Sequence, residues 1–312
     1  MRENFTFRSM DGTIVHGYRI CPEPDVQLKG IVQIAHGMAE TSERYERFGT
    51  SLAGQGYLVY VHDHRGHGKT AGELENVGYL ADKDGFLWLV RDMHHLTIII
   101  RKKYPSLPLF LMGHSMGSFA AQRYSMEYGN ELSGLILSGS NGNQGIMLKA
   151  GYLIAAMEVR KNGRRAKSEK MDNLLFGGFN KIFSPNRTDF DWLTREEEEV
   201  DKYIKDPYCG TVFTGGFFYD FIKGLMAIEK KKNRRRVPKD LPMLIISGDK
   251  DPVGKCGKGV KNLYQIYKKT GVKDITLKLY KDGRHELLNE LNKEEVTEEI
   301  IGWLKGHNKD NE

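Results

Sequence analysis

Five aliphatic runs limit what this chain can fold into more than any other feature: "GIVQIA" at 30–35, "YLVYV" at 57–61, "LFLMG" at 109–113, "GLILS" at 134–138 and "MLIIS" at 243–247. None alternates apolar with polar residues, so each needs cover on both faces, as in a parallel sheet sandwiched between helices. The intervening segments supply those helices. "SERYERFGTSLAGQG" ends on glycine, "GFLWLVRDMHHLTIIIRKKYP" is stopped by Pro105, and another helix is predicted from Ser115 to about Tyr128. A strand is predicted earlier, at "GTIVHGYRI". After the last run come a helix at "KGVKNLYQIYKKTG", a strand at "DITLKLY" and a closing helix at "NKEEVTEEIIGWLKG".

Between these parts the rhythm breaks. From 143 to 236 strand signals vanish, replaced by amphipathic stretches such as "GIMLKAGYLIAAMEV", irregular loops and the aromatic segment "FTGGFFYDFIKGLM". The organisation expected is one α/β domain whose two parts, residues 1–142 and 237–312, are interrupted by a helical cap at 143–236. A length of 312 residues suits such a domain with a large insertion.

The run "LFLMG" stops at a serine between glycines, "GHSMG" at 113–117. With a strand before and a helix after, this is the setting of a nucleophile elbow, in which a sharp turn exposes the serine hydroxyl and the flanking positions have no room for a Cβ. The helix that follows also points its unpaired N–H groups at developing negative charge. A serine needs a base, and the base needs an acid to orient it. Of the two histidines beyond 236, His307 lies in a polar tail, whereas His285 lies in "YKDGRHELLNE", after a strand and before the last helix; His285 is the expected base. The acid should sit at a strand's carboxyl end, where "LPMLIISGDKDP" offers Asp249 and Asp251. Pro252 makes Asp251 the residue entering a rigid turn, and Asp249 reads as a turn residue bonding its own backbone. Acyl transfer also requires two oxyanion donors. The N–H of Met116 is one candidate, and the N–H of Met38, in "AHGM" after an early strand, is the other.

Taken together, "AHGMAE" with "SERY", "DHRGHG" at 63–68, "GHSMGS", "SGDKDP" and "GRHELLNE" resemble the monoacylglycerol lipase and lysophospholipase group of α/β-hydrolases, in that family's order and across both halves of the core. The resemblance implies an eight-stranded, mostly parallel sheet flanked by helices under a helical cap. It also implies a Ser115, Asp251, His285 triad, oxyanion donors at Met38 and Met116, and neither cofactor nor metal. Where many relatives carry a histidine after the HGM motif, this chain has Thr41 and Ser42. In "DHRGHG", Asp63, His64 and Arg65 are expected to tie a loop near the nucleophile by charge-assisted bonds.

The expected activity is hydrolysis of an apolar acyl ester, monoacylglycerol- or lysophospholipid-like, through an acyl-enzyme. A thioesterase or a prolyl-aminopeptidase-like hydrolase would use the same three residues, and a non-catalytic binding protein on this fold is the alternative from another class. Epoxide hydrolases and haloalkane dehalogenases are disfavoured because those relatives use aspartate at the position of Ser115. Ile146, Met147, Leu148, Tyr152, Leu153, Ile154 and Met157 are candidates to line an acyl pocket, with "FTGGFFYDF" closing its other side. The net charge of +6 is concentrated in part in "RKNGRRAKSEK" and "EKKKNRRR", which would draw the cap weakly to an anionic membrane surface. No nucleic-acid-binding module accompanies that charge. With no signal peptide, no run of ~20 apolar residues and no paired spacing among Cys21, Cys209 and Cys256, the expected location is the cytoplasm.

Overall fold

The computed structural model describes residues 1–308, and all five aliphatic runs enter a single eight-stranded sheet. Its strands are β1 (Arg2–Arg8), β2 (Ile14–Ile20), β3 (Gly30–Ala35), β4 (Tyr57–His62), β5 (Leu109–His114), β6 (Gly134–Ser138), β7 (Met243–Gly248) and β8 (Ile275–Tyr280). In space they run β1, β2, β4, β3, β5, β6, β7, β8. Every pair from β4 to β8 is parallel, and β1 and β2 complete one edge antiparallel. This is the mostly parallel sheet that the resemblance implied. The strand pattern alone gave no strand at 2–8. β1 forms there because it pairs with β2 along its whole length, burying Phe7 and setting Phe5 5.6 Å from the Tyr60 ring.

The helices are α1 (Glu46–Ala53), α2 (Gly68–Ala71), α3 (Gly85–Lys103), α4 (Met116–Tyr128), α5 (Ile146–Asn162), α6 (Glu169–Phe176), α7 (Glu197–Lys205), α8 (Gly215–Glu229), α9 (Lys231–Arg234), α10 (Lys258–Thr270) and α11 (Lys293–Gly306). Successive strand residues serve opposite faces. Val32, Val59, Phe110 and Ile136 pack under Phe48 and Leu52 of α1 and Ile300 of α11. Ile31, Leu58, Leu109 and Leu135 pack under Leu89 and Leu96 of α3, Tyr124 of α4 and Leu263 of α10. The polar residue in the middle of β3 is satisfied: Gln33 donates to the Met93 carbonyl at 2.8 Å and accepts from Thr97 Oγ1 at 2.8 Å.

Helices α5 to α9 all lie between β6 and β7. α8 contributes most to the core shared with the sheet, joined by Leu148 and Ala155 of α5 and Met171 of α6. α8 is capped by Thr214, whose hydroxyl accepts the Phe217 N–H at 3.2 Å, and it buries Phe217, Phe218, Phe221, Ile222 and Leu225. Each such side chain contributes roughly 1.5–3 kcal/mol on burial. Asp220 of α8 accepts the Gly85 N–H at the start of α3, at 2.7 Å.

The strand order positions the site. The chain steps from β3 outward to β4, then returns to lay β5 on the other side of β3. The loops leaving β3 and β5 therefore diverge and open a crevice at the carboxyl ends of the strands.

Candidate active site

Ser115 occupies the turn between β5 and α4 with φ 51° and ψ −118°, a conformation costly for any residue with a Cβ. The neighbouring glycines make the turn sterically possible. A Cβ on Gly113 would lie 2.4 Å from the Gly117 carbonyl oxygen, and one on Gly117 only 2.1 Å from that of Ala35. The turn is held by the Ser115 N–H donating to the Ser138 carbonyl at 2.9 Å and by the Ser118 hydroxyl donating to the Ser115 carbonyl at 2.6 Å.

The other expected members arrive on the loops after β7 and β8. His285 Nδ1 lies 2.9 Å from Asp251 Oδ1, with both side chains essentially out of solvent. Asp251 is itself fixed: Oδ1 also accepts the Val253 N–H at 2.9 Å, and Oδ2 accepts the Ser247 hydroxyl at 3.0 Å. Burial pulls the His285 pKa down, but the charge and hydrogen bond of Asp251 outweigh it, so the net shift is upward from the ordinary value of 6.5. Asp249 stands apart from the imidazole and accepts the Asp282 N–H at 2.9 Å, bracing the next loop rather than bonding its own turn. His307 is also remote, 3.0 Å from Asp274 and bonded to the Trp303 carbonyl. Ser115 and His285 meet through the cavity that both line, and the hydrogen bond within the group of three is the one between His285 and Asp251.

Met38 and Met116 line the same cavity. The loop carrying Met38 is clamped on both sides of Gly37. The His36 ring contacts the Gly37 carbonyl through Nδ1 at 2.7 Å and accepts the His64 N–H at Nε2 at 2.9 Å. This arrangement requires the neutral Nδ1–H tautomer, and complete burial holds the ring neutral by pushing its pKa down to about 3. On the other side the Glu40 carboxylate accepts the Gly37 N–H and, at 2.9 Å, the Tyr45 hydroxyl. Burial first, then the charge of Glu286, pushes Glu40 up to about 7. Arg44 bridges Glu40 and Glu286, linking this loop to the residue after His285. Sequence reasoning did not assign Glu40 or Arg44, although both fall inside the motifs "AHGMAE" and "SERY".

The "DHRGHG" segment braces the wall behind that loop. Asp63 accepts the Ser42 N–H at 2.8 Å and the Lys69 N–H at 2.9 Å, and Arg65 pairs with Asp92 at 2.7 Å and Asp11 at 2.8 Å. The charge-assisted bonds expected of this motif are made by Asp63 and Arg65, while the His64 ring nitrogens are buried without partners. Thr41 buries an unpartnered hydroxyl.

The cavity measures about 660 Å³. Of the α5 candidates, Met147, Leu148 and Ile154 line it, whereas Ile146, Leu153 and Met157 point outward, 81%, 62% and 58% exposed. Tyr152 turns aside to meet the Tyr219 hydroxyl at 2.7 Å. From the aromatic segment Phe221, Ile222 and Leu225 reach the cavity, while Phe213, Phe217 and Phe218 are spent in the core. The far wall comes from Leu174, Phe176 and Trp192, which the sequence reading did not single out. Their signal is local only: "NLLFGGF" and "FDWL" are apolar clusters in a stretch without regular period.

A family model described as serine aminopeptidase, S33, matches residues 26–292. The chain belongs to that family. Within reach of it are the monoacylglycerol lipase of Mycolicibacterium smegmatis, 28% identical over 91% of both chains, and the monoglyceride lipase of Homo sapiens, 30% identical over 88% of this chain and 80% of its own. A crystal structure of a highly thermostable carboxyl esterase from Bacillus coagulans in complex with glycerol superposes with a TM-score of 0.91 at 30% identity, covering 98% of this chain and 99% of that one. The family member described here is therefore an α/β-hydrolase enzyme of the esterase and lipase type.

Proposed function

We propose that this chain is a serine carboxylic-ester hydrolase that cleaves apolar acyl esters of the monoacylglycerol or lysophospholipid kind. The observation that carries the reading is the buried Asp251–His285 pair opening onto the same cavity as a serine in a strained strand-to-helix turn. Ser115 Oγ attacks the ester carbonyl carbon as His285 takes its proton, and Asp251 stabilises the imidazolium. The N–H groups of Met38 and Met116 bind the oxyanion. His285 then gives its proton to the departing alcohol, leaving an acyl-serine. A water that His285 deprotonates hydrolyses this ester and regenerates the hydroxyl.

The aliphatic wall of Leu148, Ile154, Leu174 and Phe221 suits an acyl chain, and the names of the monoglyceride lipase relatives favour a glycerol ester. Residues 143–236 act in this reading as the cap over the acyl pocket. The outward apolar residues of α5, with Lys149, Arg160 and Lys161 exposed beside them, present that cap to an anionic membrane surface. Three unpaired cysteines fit a reducing compartment, the cytoplasm, and no helix among the described residues is long and apolar enough to cross a membrane.

The family description favours one second reading, hydrolysis of an aminoacyl amide. One experiment separates the two and tests both. Wild type and Ser115→Ala are assayed against p-nitrophenyl esters from acetate to palmitate, monoacylglycerols and a prolyl p-nitroanilide. The expected result is ester turnover in the wild type that falls by roughly 10⁶ in kcat in the variant, with an unchanged circular dichroism spectrum. Turnover of the anilide alone would replace the ester reading, and esterase activity retained by Ser115→Ala would remove it.

A further inference from the structure

The loop that carries His285 is not held by the sheet alone. It is bonded along its length to residues 191–196, the stretch before α7, about 90 positions away in sequence. The Glu286 N–H donates to the Leu193 carbonyl at 2.7 Å, and the Thr194 hydroxyl donates to the Asn289 carbonyl at 2.8 Å. The Arg284 guanidinium donates to the carbonyls of Asp191 and, at 3.2 Å, Thr194. Trp192 lays its ring 5.1 Å from the His285 ring.

At the centre of this seam is Glu290, fully buried, whose carboxylate accepts four N–H groups. Oε1 takes the Arg284 N–H at 2.9 Å and the Arg195 N–H at 3.1 Å; Oε2 takes Arg195 Nε at 2.8 Å and the Leu291 N–H at 2.9 Å. Two of these donors belong to the histidine loop and two to the stretch above it. One of the loop donors is the residue immediately before His285. A buried carboxylate with both oxygens doubly engaged is a rigid joint, because releasing any donor leaves a charge or an N–H group without compensation. Neither the mechanism nor the cavity uses this side chain.

We propose that Glu290 is a positioning residue for the base of this site: it fastens residues 191–196 to the histidine loop, so that the placement of the imidazole depends on the inserted segment above it. The proposal rests on His285 being the base, as in the proposed function. An error of about 1 Å in the placement of a catalytic group costs roughly 10²-fold in rate, which sets the scale expected when the joint is loosened.

The test compares wild type, Glu290→Gln and Arg195→Ala on p-nitrophenyl butyrate, with active sites counted by fluorophosphonate labelling so that misfolded protein does not enter kcat. The Gln variant keeps the shape but not the charge, and Arg195→Ala removes only the guanidinium bond from the inserted segment, leaving the Arg195 backbone N–H and the two loop donors in place. The expected result is a kcat per labelled site lower by roughly ten- to a hundredfold in Glu290→Gln and by a smaller factor in Arg195→Ala, with KM within about twofold of wild type. The low-field proton resonance of His285 Nδ1–H bonded to Asp251 should broaden or move in the Gln variant, a change that general destabilisation does not produce at a temperature where the protein is folded. A kcat per site within about twofold of wild type in Glu290→Gln overturns the proposal, as does a loss confined to the number of labelled sites. If Glu290→Gln does not fold, unchanged kcat in Arg195→Ala overturns it. Wild-type protein without esterase activity would instead remove the ester-hydrolase reading, and this proposal with it, whereas an active wild type with unaffected variants removes this proposal alone.

Discussion

His285 is pulled two ways by its surroundings, and the balance has a sign that kinetics can read. Burial disfavours the imidazolium, and Asp251 more than restores it, leaving the pKa above 6.5. In the proposed mechanism His285 is the general base and acts only when neutral, so kcat/KM should fall as pH drops through that raised value. His36, His62, His64, His67 and His114 are all shifted the other way, chiefly by burial, and stay neutral across this window. Glu40, pushed up to about 7, does titrate there. Asp251→Asn separates the two. It is predicted to lower kcat by roughly 10⁴ and to move the acid limb to lower pH, because it removes the carboxylate that raises His285. A wild-type limb centred below 6.5, or one that stays in place in Asp251→Asn, contradicts this assignment. At this scale the turns of Ser115 and Asp251 were legible because their own neighbours shape them, Gly113 and Gly117 around the serine and Pro252 after the aspartate, while His285 was legible only by its place between a strand and the last helix. Glu40 and Glu290 were not, because a carboxylate shows its purpose only through donors that the fold delivers, two of the four at Glu290 from 95 positions away.

Among the elements, α5 shows most clearly what composition hides. "IMLKAGYLIAAMEV", expected to be amphipathic, is instead apolar nearly all round, so periodicity could not say which side faces the cavity. In the structure Leu148 and Ile154 face inward, and Leu153 and Met157 face out. The basic runs divide in the same way. Arg164 pairs with Asp220, Lys167 donates to the Val77 carbonyl and Arg234 donates to Asn143 at 2.7 Å, so these cations are tied into the fold, while Arg160 and Lys161 remain exposed at the end of α5. The proposed membrane attraction rests on the exposed cations, Lys149, Arg160 and Lys161 on α5 and Lys230, Lys231, Lys232, Arg235 and Arg236 in the second run, and not on every basic residue of the two runs. Replacing both Arg160 and Lys161 by alanine should weaken partitioning onto phosphatidylglycerol vesicles by roughly thirtyfold at low salt, at about 1 kcal/mol per cation. Vesicle sedimentation across a salt series checks this, and binding indifferent to salt, lipid charge and both substitutions contradicts it. The aromatic segment of α8 was misleading for a related reason: a run of phenylalanines fits a pocket or a core equally well, and α8 spends most of them on α3 and the sheet.

For the molecule as a whole, the sheet was legible because continuous aliphatic strands admit few arrangements, and only the edge strand β1 escaped, its pairing with β2 being a matter of long-range register. What the sequence could not supply is convergence. Met38, Ser115, Asp251 and His285 leave the ends of β3, β5, β7 and β8, and the parallel order of those strands brings all four to one end of the sheet, where Met38, Ser115 and His285 line one cavity and Asp251 lies behind His285. The central claim is that this convergence makes Ser115 a nucleophile. The most direct measurement is intact-mass spectrometry of the protein after treatment with a fluorophosphonate, followed by peptide mapping. The account predicts one adduct per chain, on Ser115, formed far more slowly in His285→Ala; an unmodified wild-type chain, or an adduct on any other residue, would contradict it.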